Sequence, residues 1–185
     1  MAEVATQQAT MTAAEFEAWA LQPENAERRL EFVAGEVVPV VSNNYASAVA
    51  ARILIRLGAY VEARKLGYIT GADGGYCVGG DRYIPDVAYI SKQRQPQPSQ
   101  EAYNPQPPDL AVEVLSPTDN LHVLRRKVTN YLAAGVTVWL VLPEERAVEV
   151  YAPGQAVQQL GEKDTLRGGE LLPDFALPVK DIFPT

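Results

Sequence analysis

Apolar residues recur every three or four positions over residues 45–66, and this spacing predicts a long amphipathic helix. The preceding residues 42–44 (Ser-Asn-Asn) supply a natural helix start, and Gly67 is expected to end the helix. An apolar face on one side predicts that the helix covers a β-sheet. The residues that form this face are Val49, Ile53, Leu57, Tyr60 and Val61.

Two shorter helices are predicted by other patterns. Thr12 and Glu15 have the spacing of a capping box, and the residues that follow give a short helix an apolar side. A third helix is expected over about residues 120–134, closed by Gly135. Its apolar stripe consists of Leu121, Leu124, Val128, Tyr131 and Leu132.

Between the helices, short β-branched and aromatic runs predict strands. The turn at Ala34 and Gly35 predicts a hairpin of residues 30–33 and 36–41. Residues 91–108 are rich in Pro and Gln and predict a long irregular loop. The remaining predicted strands are 68–69, 76–78, 83–90, 109–115, 136–142 and 147–151. This order predicts an α/β or α+β fold in which a mixed central β-sheet is flanked by helices.

Length and composition bound the domain organisation and the compartment. The chain has 185 residues, of which 47% are hydrophobic and 21% charged, so one folded domain over 12–185 is expected, after a flexible tail at 1–11. The single cysteine, Cys77, excludes an internal disulfide and suits a reducing compartment. No run approaches the roughly 20 apolar residues of a membrane span, and no signal peptide is visible. We therefore expect a cytoplasmic protein without a membrane partner.

Two acidic residues stand in strongly apolar surroundings. Asp86 lies within the predicted strand 83–90, and Glu113 lies within 109–115. A buried carboxylate is costly unless a cation or a metal ion balances it. Side chains alternate along a strand, so both carboxylates can converge on one cation if the two strands are neighbours. Mg²⁺ prefers such hard oxygen ligands, together with backbone carbonyls and phosphate oxygens.

Lys127 and Glu31 complete the candidate site. Lys127 lies at the border of the apolar stripe of the third helix, where its ammonium would orient water and offset developing phosphate charge. Glu31, in the first hairpin strand, is a further candidate ligand. Alternative interpretations remain open: Asp86 as an acid beside a turn, Lys127 packing its stem over the helix–sheet seam, and Glu31 facing water. The formal charge of −7 argues against a protein that coats nucleic acid, although a local basic groove is compatible with it.

Several of these residues lie in a run that resembles a known family. Residues 85–88 (PDVA), 108–118 (PDLAVEVLSPT) and 131–136 (YLAAGV) are similar to the Uma-two family of restriction-endonuclease-like proteins, within the PD-(D/E)XK nuclease superfamily. Residues 29–38 and 11–16 resemble the entry hairpin and first helix of that family. The chain departs from the family pattern at Val123, where many relatives carry an acid, and at 142–143.

The resemblance implies a restriction-endonuclease-like fold and Mg²⁺-dependent DNA cleavage, with Mn²⁺ as a possible substitute. It implies Asp86 and Glu113 as metal ligands, with the backbone carbonyl of Val114 completing the shell. Leu115 stands where the superfamily lysine usually lies, and Lys127 on the following helix takes that role. Glu31 matches the upstream acid of the family.

The resulting hypothesis is a Mg²⁺-dependent DNA endonuclease that works as a homodimer, since cutting both strands favours two-fold symmetry. A second hypothesis is a nuclease-derived binding or regulatory module without turnover. A third is a metal-dependent hydrolase that acts on another phosphate ester.

Overall fold

The computed structural model describes residues 11–25, 27–117, 119 and 121–184; the predicted tail falls almost entirely outside them. The described helices are α1 (Ala13–Ala20), α2 (Asn44–Arg64) and α3 (Leu121–Ala133), with a 3₁₀ turn at Val179–Asp181. The strands are β1 (Leu30–Val33), β2 (Glu36–Pro39), β3 (Gly67–Thr70), β4 (Gly75–Val78), β5 (Asp81–Tyr83), β6 (Val87–Ser91), β7 (Tyr103–Asn104), β8 (Leu110–Val114), β9 (Thr137–Leu142), β10 (Ala147–Tyr151), β11 (Gln158–Leu160), β12 (Thr165–Gly168) and β13 (Leu172–Pro178).

The strands form one large mixed sheet, a second smaller sheet and a hairpin. The large sheet has six strands in the order β11-β10-β9-β8-β6-β3, in which only the β8–β9 pair is parallel. The second sheet has the order β2-β1-β5-β4-β7, and β12 pairs with β13. The predicted fold class, a mixed sheet flanked by helices, is confirmed.

Helices α2 and α3 cover opposite faces of β8. Leu110 and Val112 belong to the hydrophobic cluster that contains the apolar face of α2, whereas Ala111 packs with Val128 and Tyr131 of α3. Leu110, Ala111 and Val112 are fully buried. Each such aliphatic side chain larger than alanine contributes roughly 1.5–3 kcal/mol through burial. Because side chains alternate between the two faces of β8, each helix packs against one face of this strand. The same alternation places Glu113 on the face that α3 covers.

The predicted continuous strand 83–90 is wrong, because the chain breaks there into β5 and β6. Residues 84–86 leave the second sheet and enter the large one. Pro85 has no N–H for a strand ladder, and the N–H of Ile84 donates instead to the side chain of Glu31 at 2.7 Å. Asp86 consequently lies at a bend just before β6 and not within a strand.

The predicted end of α2 is also displaced. The helix ends at Arg64, and Lys65 caps it in the left-handed region with φ 55°. Gly67 instead begins β3, where a Cβ would lie 2.1 Å from the carbonyl oxygen of Ile90. Glycine is thus required there by the close approach of β3 to β6.

The capping box of α1 and the irregular character of 91–108 are both confirmed in large part. Thr12 accepts the N–H of Glu15, whose carboxylate accepts the N–H of Thr12 at 2.7 Å. Ser91 belongs to the end of β6, and the rest of the long loop contains only the two-residue strand β7 among its described residues, which pairs in parallel with β4. None of the described helices combines the length and the apolar character that a bilayer span requires.

Candidate active site

Lys127, Glu31 and Glu113 form a buried cluster contributed by three elements. The Nζ atom of Lys127, on α3, lies 2.9 Å from Oε1 of Glu31 on β1 and 2.9 Å from the carboxylate of Glu113 on β8. The three residues are only 5–6% exposed. Since an isolated buried charge is unstable, this arrangement explains how three charged groups are tolerated under the helix.

Glu31 is held by the backbone as well as by Lys127. Its Oε1 atom accepts the N–H of Ile84, in the segment that joins the two sheets. The carboxylate therefore points into the protein, and the alternative in which Glu31 faces water is wrong.

The strand register brings Asp86 next to Glu113. Val87 pairs with Val112 and Ala88 with Ala111, so Asp86 and Glu113 occupy the next opposed positions. Opposed residues of an antiparallel pair point to the same face, which here is the face covered by α3. The Oδ2 atom of Asp86 also accepts the N–H of Val114 at 2.7 Å. The role of the Val114 carbonyl as a ligand stays a prediction.

Tyr131 fixes the orientation of the Glu113 carboxylate. Its hydroxyl donates to Oε1 of Glu113 at 3.0 Å, and the whole residue is buried. Its ring packs against Tyr83 with centroids 5.2 Å apart, and Nζ of Lys127 lies 5.3 Å from the Tyr83 ring. The sequence pattern identified Tyr131 only as part of the apolar stripe, because helical spacing does not reveal which hydroxyl meets a carboxylate.

A second polar network, centred on Asp81, also contacts helix α3. The carboxylate of Asp81 accepts the N–H of Ala34 at 3.0 Å, the hydroxyl of Tyr83 at 2.6 Å and the amide of Asn130 at 2.7 Å. Asp81, on β5, thereby connects the β1–β2 turn to α3. It contacts the helix at Asn130, the residue that precedes Tyr131. The sequence analysis missed this network.

Burial and repulsion between carboxylates raise the pKa values of Glu113 and Asp86. Burial raises the pKa of Glu113 to about 8, with further increases from Glu31 and Asp86 and an opposing effect of Lys127. Burial also raises the pKa of Asp86, although the hydrogen bond from the Val114 N–H and the charge of Lys127 act to lower it. Burial lowers the pKa of Lys127, but the carboxylates of Glu113 and Glu31 outweigh it and raise this pKa above its ordinary value. The site as a whole favours an additional positive charge.

These residues line an open cavity of about 450 Å³. Among the described residues, four carboxylates belong to its lining, from Glu31, Asp86, Glu113 and Asp119, against the single ammonium of Lys127. In the part of the chain that the structure describes, no three His, Cys, Asp or Glu side chains are gathered closely enough to hold a metal ion unaided.

The donor set nevertheless fits a magnesium ion. Asp86 and Glu113 both line the cavity, so two carboxylates are available there to one ion. Mg²⁺ is commonly bound by one or two carboxylates, with waters and substrate phosphate oxygens as its other ligands. The excess of negative charge in the lining favours such a cation as well.

Comparison with solved structures identifies a similar fold. The crystal structure of "a putative nuclease belonging to DUF820" from Anabaena variabilis ATCC 29413 superposes with a TM-score of 0.75 at 19% sequence identity. The match covers 83% of this chain and 89% of that chain. At this identity the similarity shows a shared fold.

Comparison with family models gives the assignment. No protein of curated function matches the chain. The model of the Uma2 family, described as "Putative restriction endonuclease", matches residues 13–180, which include all of the candidate site residues. The chain therefore belongs to the Uma2 family of restriction-endonuclease-like proteins.

Proposed function

We propose that this protein is a Mg²⁺-dependent DNA endonuclease with a PD-(D/E)XK-type site. The observation that carries the proposal is the buried Lys127 ammonium, 2.9 Å from Glu113, in a cavity that Asp86 and Glu113 both line. Asp86 and Glu113 would hold the metal ion, with the Val114 carbonyl as a third ligand. Family membership supports nuclease chemistry independently of this geometry.

When bound, Mg²⁺, or Mn²⁺ in its place, would polarise the scissile phosphate. The residues of the chain have separate tasks. Lys127 places a positive charge beside the carboxylates, where it orients the attacking water and offsets the charge that develops on phosphate. Glu31 holds Lys127 from the other side, and Tyr131 holds Glu113 in one orientation.

The remaining parts of the proposal concern partners and compartment. DNA is the substrate that the family assignment favours. A homodimer would place two such sites on the two strands of a symmetric target. The unpaired Cys77 is compatible with the reducing cytoplasm.

Cleavage of supercoiled plasmid with Mg²⁺ or Mn²⁺ tests this function. We expect Asp86→Asn and Glu113→Gln each to lower the rate by at least about 100-fold, since each removes a charged ligand. Asp73→Asn, which changes an exposed acid outside the cavity, is the matched control and should cut at the wild-type rate. Wild-type rates in both site variants would refute the assigned site.

A binding or regulatory module without turnover is the second candidate. One observation favours it: Lys127 already contacts both Glu31 and Glu113, so each of these carboxylates has a cationic partner without a metal ion. Isothermal titration with Mg²⁺ and Mn²⁺ separates the two functions. A nuclease site gives heat that Glu113→Gln abolishes, whereas the module gives none.

A further inference from the structure

Helix α2 presents a long outer face to solvent. Its inner face is fully buried at Val49, Ile53 and Leu57, in the same cluster as residues of β6 and β8. The outer face of a surface helix is normally lined by charged and polar residues. Here it is mostly small and apolar, and Ile55 near its centre is 63% exposed. The exposed apolar residues of this outer face are Ala48, Ala51, Ile55, Ala59 and Ala63.

Gly58, in the middle of α2, is not required by the fold of a single chain. Its backbone is not in the left-handed region, and a Cβ at this position would meet nothing within 4 Å. Glycine inside a helix is less stable than alanine, because it loses more conformational freedom on folding. The distance between two packed helices depends on the side chains at their contact, so a glycine permits close approach. A second helix packed at this level accounts for Gly58.

Two opposite charges flank the centre of the same face. Arg52 and Glu62 are both exposed, and neither takes part in an ion pair among the described residues. One nitrogen of the Arg52 guanidinium donates to the carbonyl of Asp181 at 3.3 Å, which leaves its other donors available. The two residues are ten positions apart, or about 15 Å along the helix axis, which is too far for them to pair within one copy.

The order of these residues is symmetric about position 57. Arg52 precedes Ile55 by three positions, Ile55 precedes Ala59 by four, and Ala59 precedes Glu62 by three. If a second α2 crosses the first in the antiparallel direction at position 57, Arg52 lies level with the partner's Glu62. Ile55 then lies level with the partner's Ala59. A two-fold interface has this property, because the same patch is used by both subunits and each contact is made twice.

We propose that a second copy of this chain covers the outer face of α2. In this dimer two antiparallel α2 helices cross near Gly58, Ile55 packs on the partner's Ala59, and Arg52 pairs with the partner's Glu62. The interface supplies the contact surface for a homodimer, and it does not depend on the nuclease function. Because α2 and α3 cover opposite faces of β8, it leaves the outer side of α3 uncovered in both copies.

Charge reversal tests the pairing of Arg52 with the partner's Glu62. Sedimentation velocity at several protein concentrations gives the Kd of the dimer. Arg52→Glu and Glu62→Arg each place like charges at two symmetric points, so we expect each to raise the Kd about tenfold. The double variant exchanges the two charges and should return the Kd to within about threefold of the wild-type value. A double variant that dimerises no better than either single variant contradicts the pairing.

Two further variants test the packing of the helices. Ile55→Arg puts a charge at the centre of the contact, and we expect at least about a tenfold rise in Kd. Gly58→Gln favours the isolated helix but separates the two copies, so the fold should persist while the Kd rises at least about tenfold. Val157→Arg changes a side chain that is 53% exposed outside α2, and it should leave the Kd unchanged. Circular dichroism checks that each variant is folded.

The outcomes separate this interface from the nuclease function, because the measurement contains neither DNA nor metal ion. A wild-type protein that stays monomeric at every concentration overturns the interface and leaves the nuclease function standing. A dimer that Ile55→Arg and Gly58→Gln do not weaken uses another surface, and it also overturns the inference. Dimerisation as expected, in a protein that does not cut plasmid, overturns the nuclease function alone.

Discussion

Lys127 and Glu113 form a buried ion pair, with 2.9 Å between the ammonium and the carboxylate and only 8% of each side chain exposed. A buried ion pair contributes little net stability compared with apolar residues of the same size, because both charges must leave water. Glu31 adds a second carboxylate to the same ammonium. Because the pair contributes little to stability, a role in chemistry at the cavity explains it better than folding alone.

Replacement of the lysine tests the energetic part. Lys127→Met leaves Glu31 and Glu113 buried without a cation, so we expect the free energy of unfolding to fall by about 3–5 kcal/mol. Urea unfolding followed by circular dichroism measures this change. We also expect Mg²⁺ to restore part of the stability of the variant, since a bound cation would replace the lost charge.

The exposed Lys163 provides the control. Lys163→Met should change the free energy of unfolding by no more than about 0.5 kcal/mol. If Lys127→Met is as stable as wild type without Mg²⁺, the two carboxylates are not held as charged groups by this lysine, and the electrostatic account of the site is wrong.

Tyr131→Phe separates positioning from packing. The ring and its contact with Tyr83 remain, whereas the hydrogen bond to Glu113 is lost. We expect about a tenfold loss of Mg²⁺ affinity, the usual effect of removing a group that orients a metal ligand. Stability should fall by only about 1 kcal/mol.

Tyr89→Phe is the matched control for this loss. Tyr89 is also buried, but its hydroxyl makes only a long 3.5 Å contact with the carbonyl of Leu66. Titration calorimetry of both variants with Mg²⁺ should show reduced affinity for Tyr131→Phe alone. Equal affinities in the two variants would assign Tyr131 a packing role only.

The sequence predicted which charged residues meet, but it did not predict how they are held. Glu113 could be found from local pattern because an acid within an apolar strand is a conflict between burial and charge. Lys127 could be found because it lies at the border of the apolar stripe of the third helix. The neighbouring position of Asp86 followed from alternation once β6 and β8 were assumed to be neighbours. Their roles at a metal ion stay predictions.

The supporting network could not be found in the same way. Asp81 meets Asn130 across 49 positions of the chain and Ala34 across 47. No local period encodes such contacts, because they depend on how β5 is placed beside β1 and under α3. The break at Pro85 was missed for a related reason: the apolar run continues through it although the chain changes sheets.

Asp81→Ala should show how much the missed network contributes. It leaves the Ala34 N–H and the Tyr83 hydroxyl without their acceptor, and it leaves the Asn130 amide with the Tyr83 oxygen alone, so we expect stability to fall by about 3 kcal/mol. Asp81→Asn keeps one carbonyl acceptor and should lose less. Urea unfolding of both variants, with Asp73→Ala as an exposed control, measures the order. Equal stability of Asp81→Ala and wild type would show that the network does not hold α3.

Alkaline unfolding provides a test that does not involve the candidate site. Burial raises the pKa of Tyr89 to about 12, with a further contribution from Asp109, whereas in the unfolded chain this pKa is about 10. Below pH 10 both states keep the proton, and stability does not depend on it. Between about pH 10 and pH 12 the unfolded state releases the proton while the folded state retains it, so the free energy of unfolding falls as pH rises.

Tyr89→Phe should remove close to one proton from the slope of stability against pH in this window. Urea midpoints measured from pH 8 to pH 12 check the slope, and phenolate absorbance checks the titration. An unchanged slope would mean that Tyr89 ionises as readily in the folded protein as in the unfolded chain.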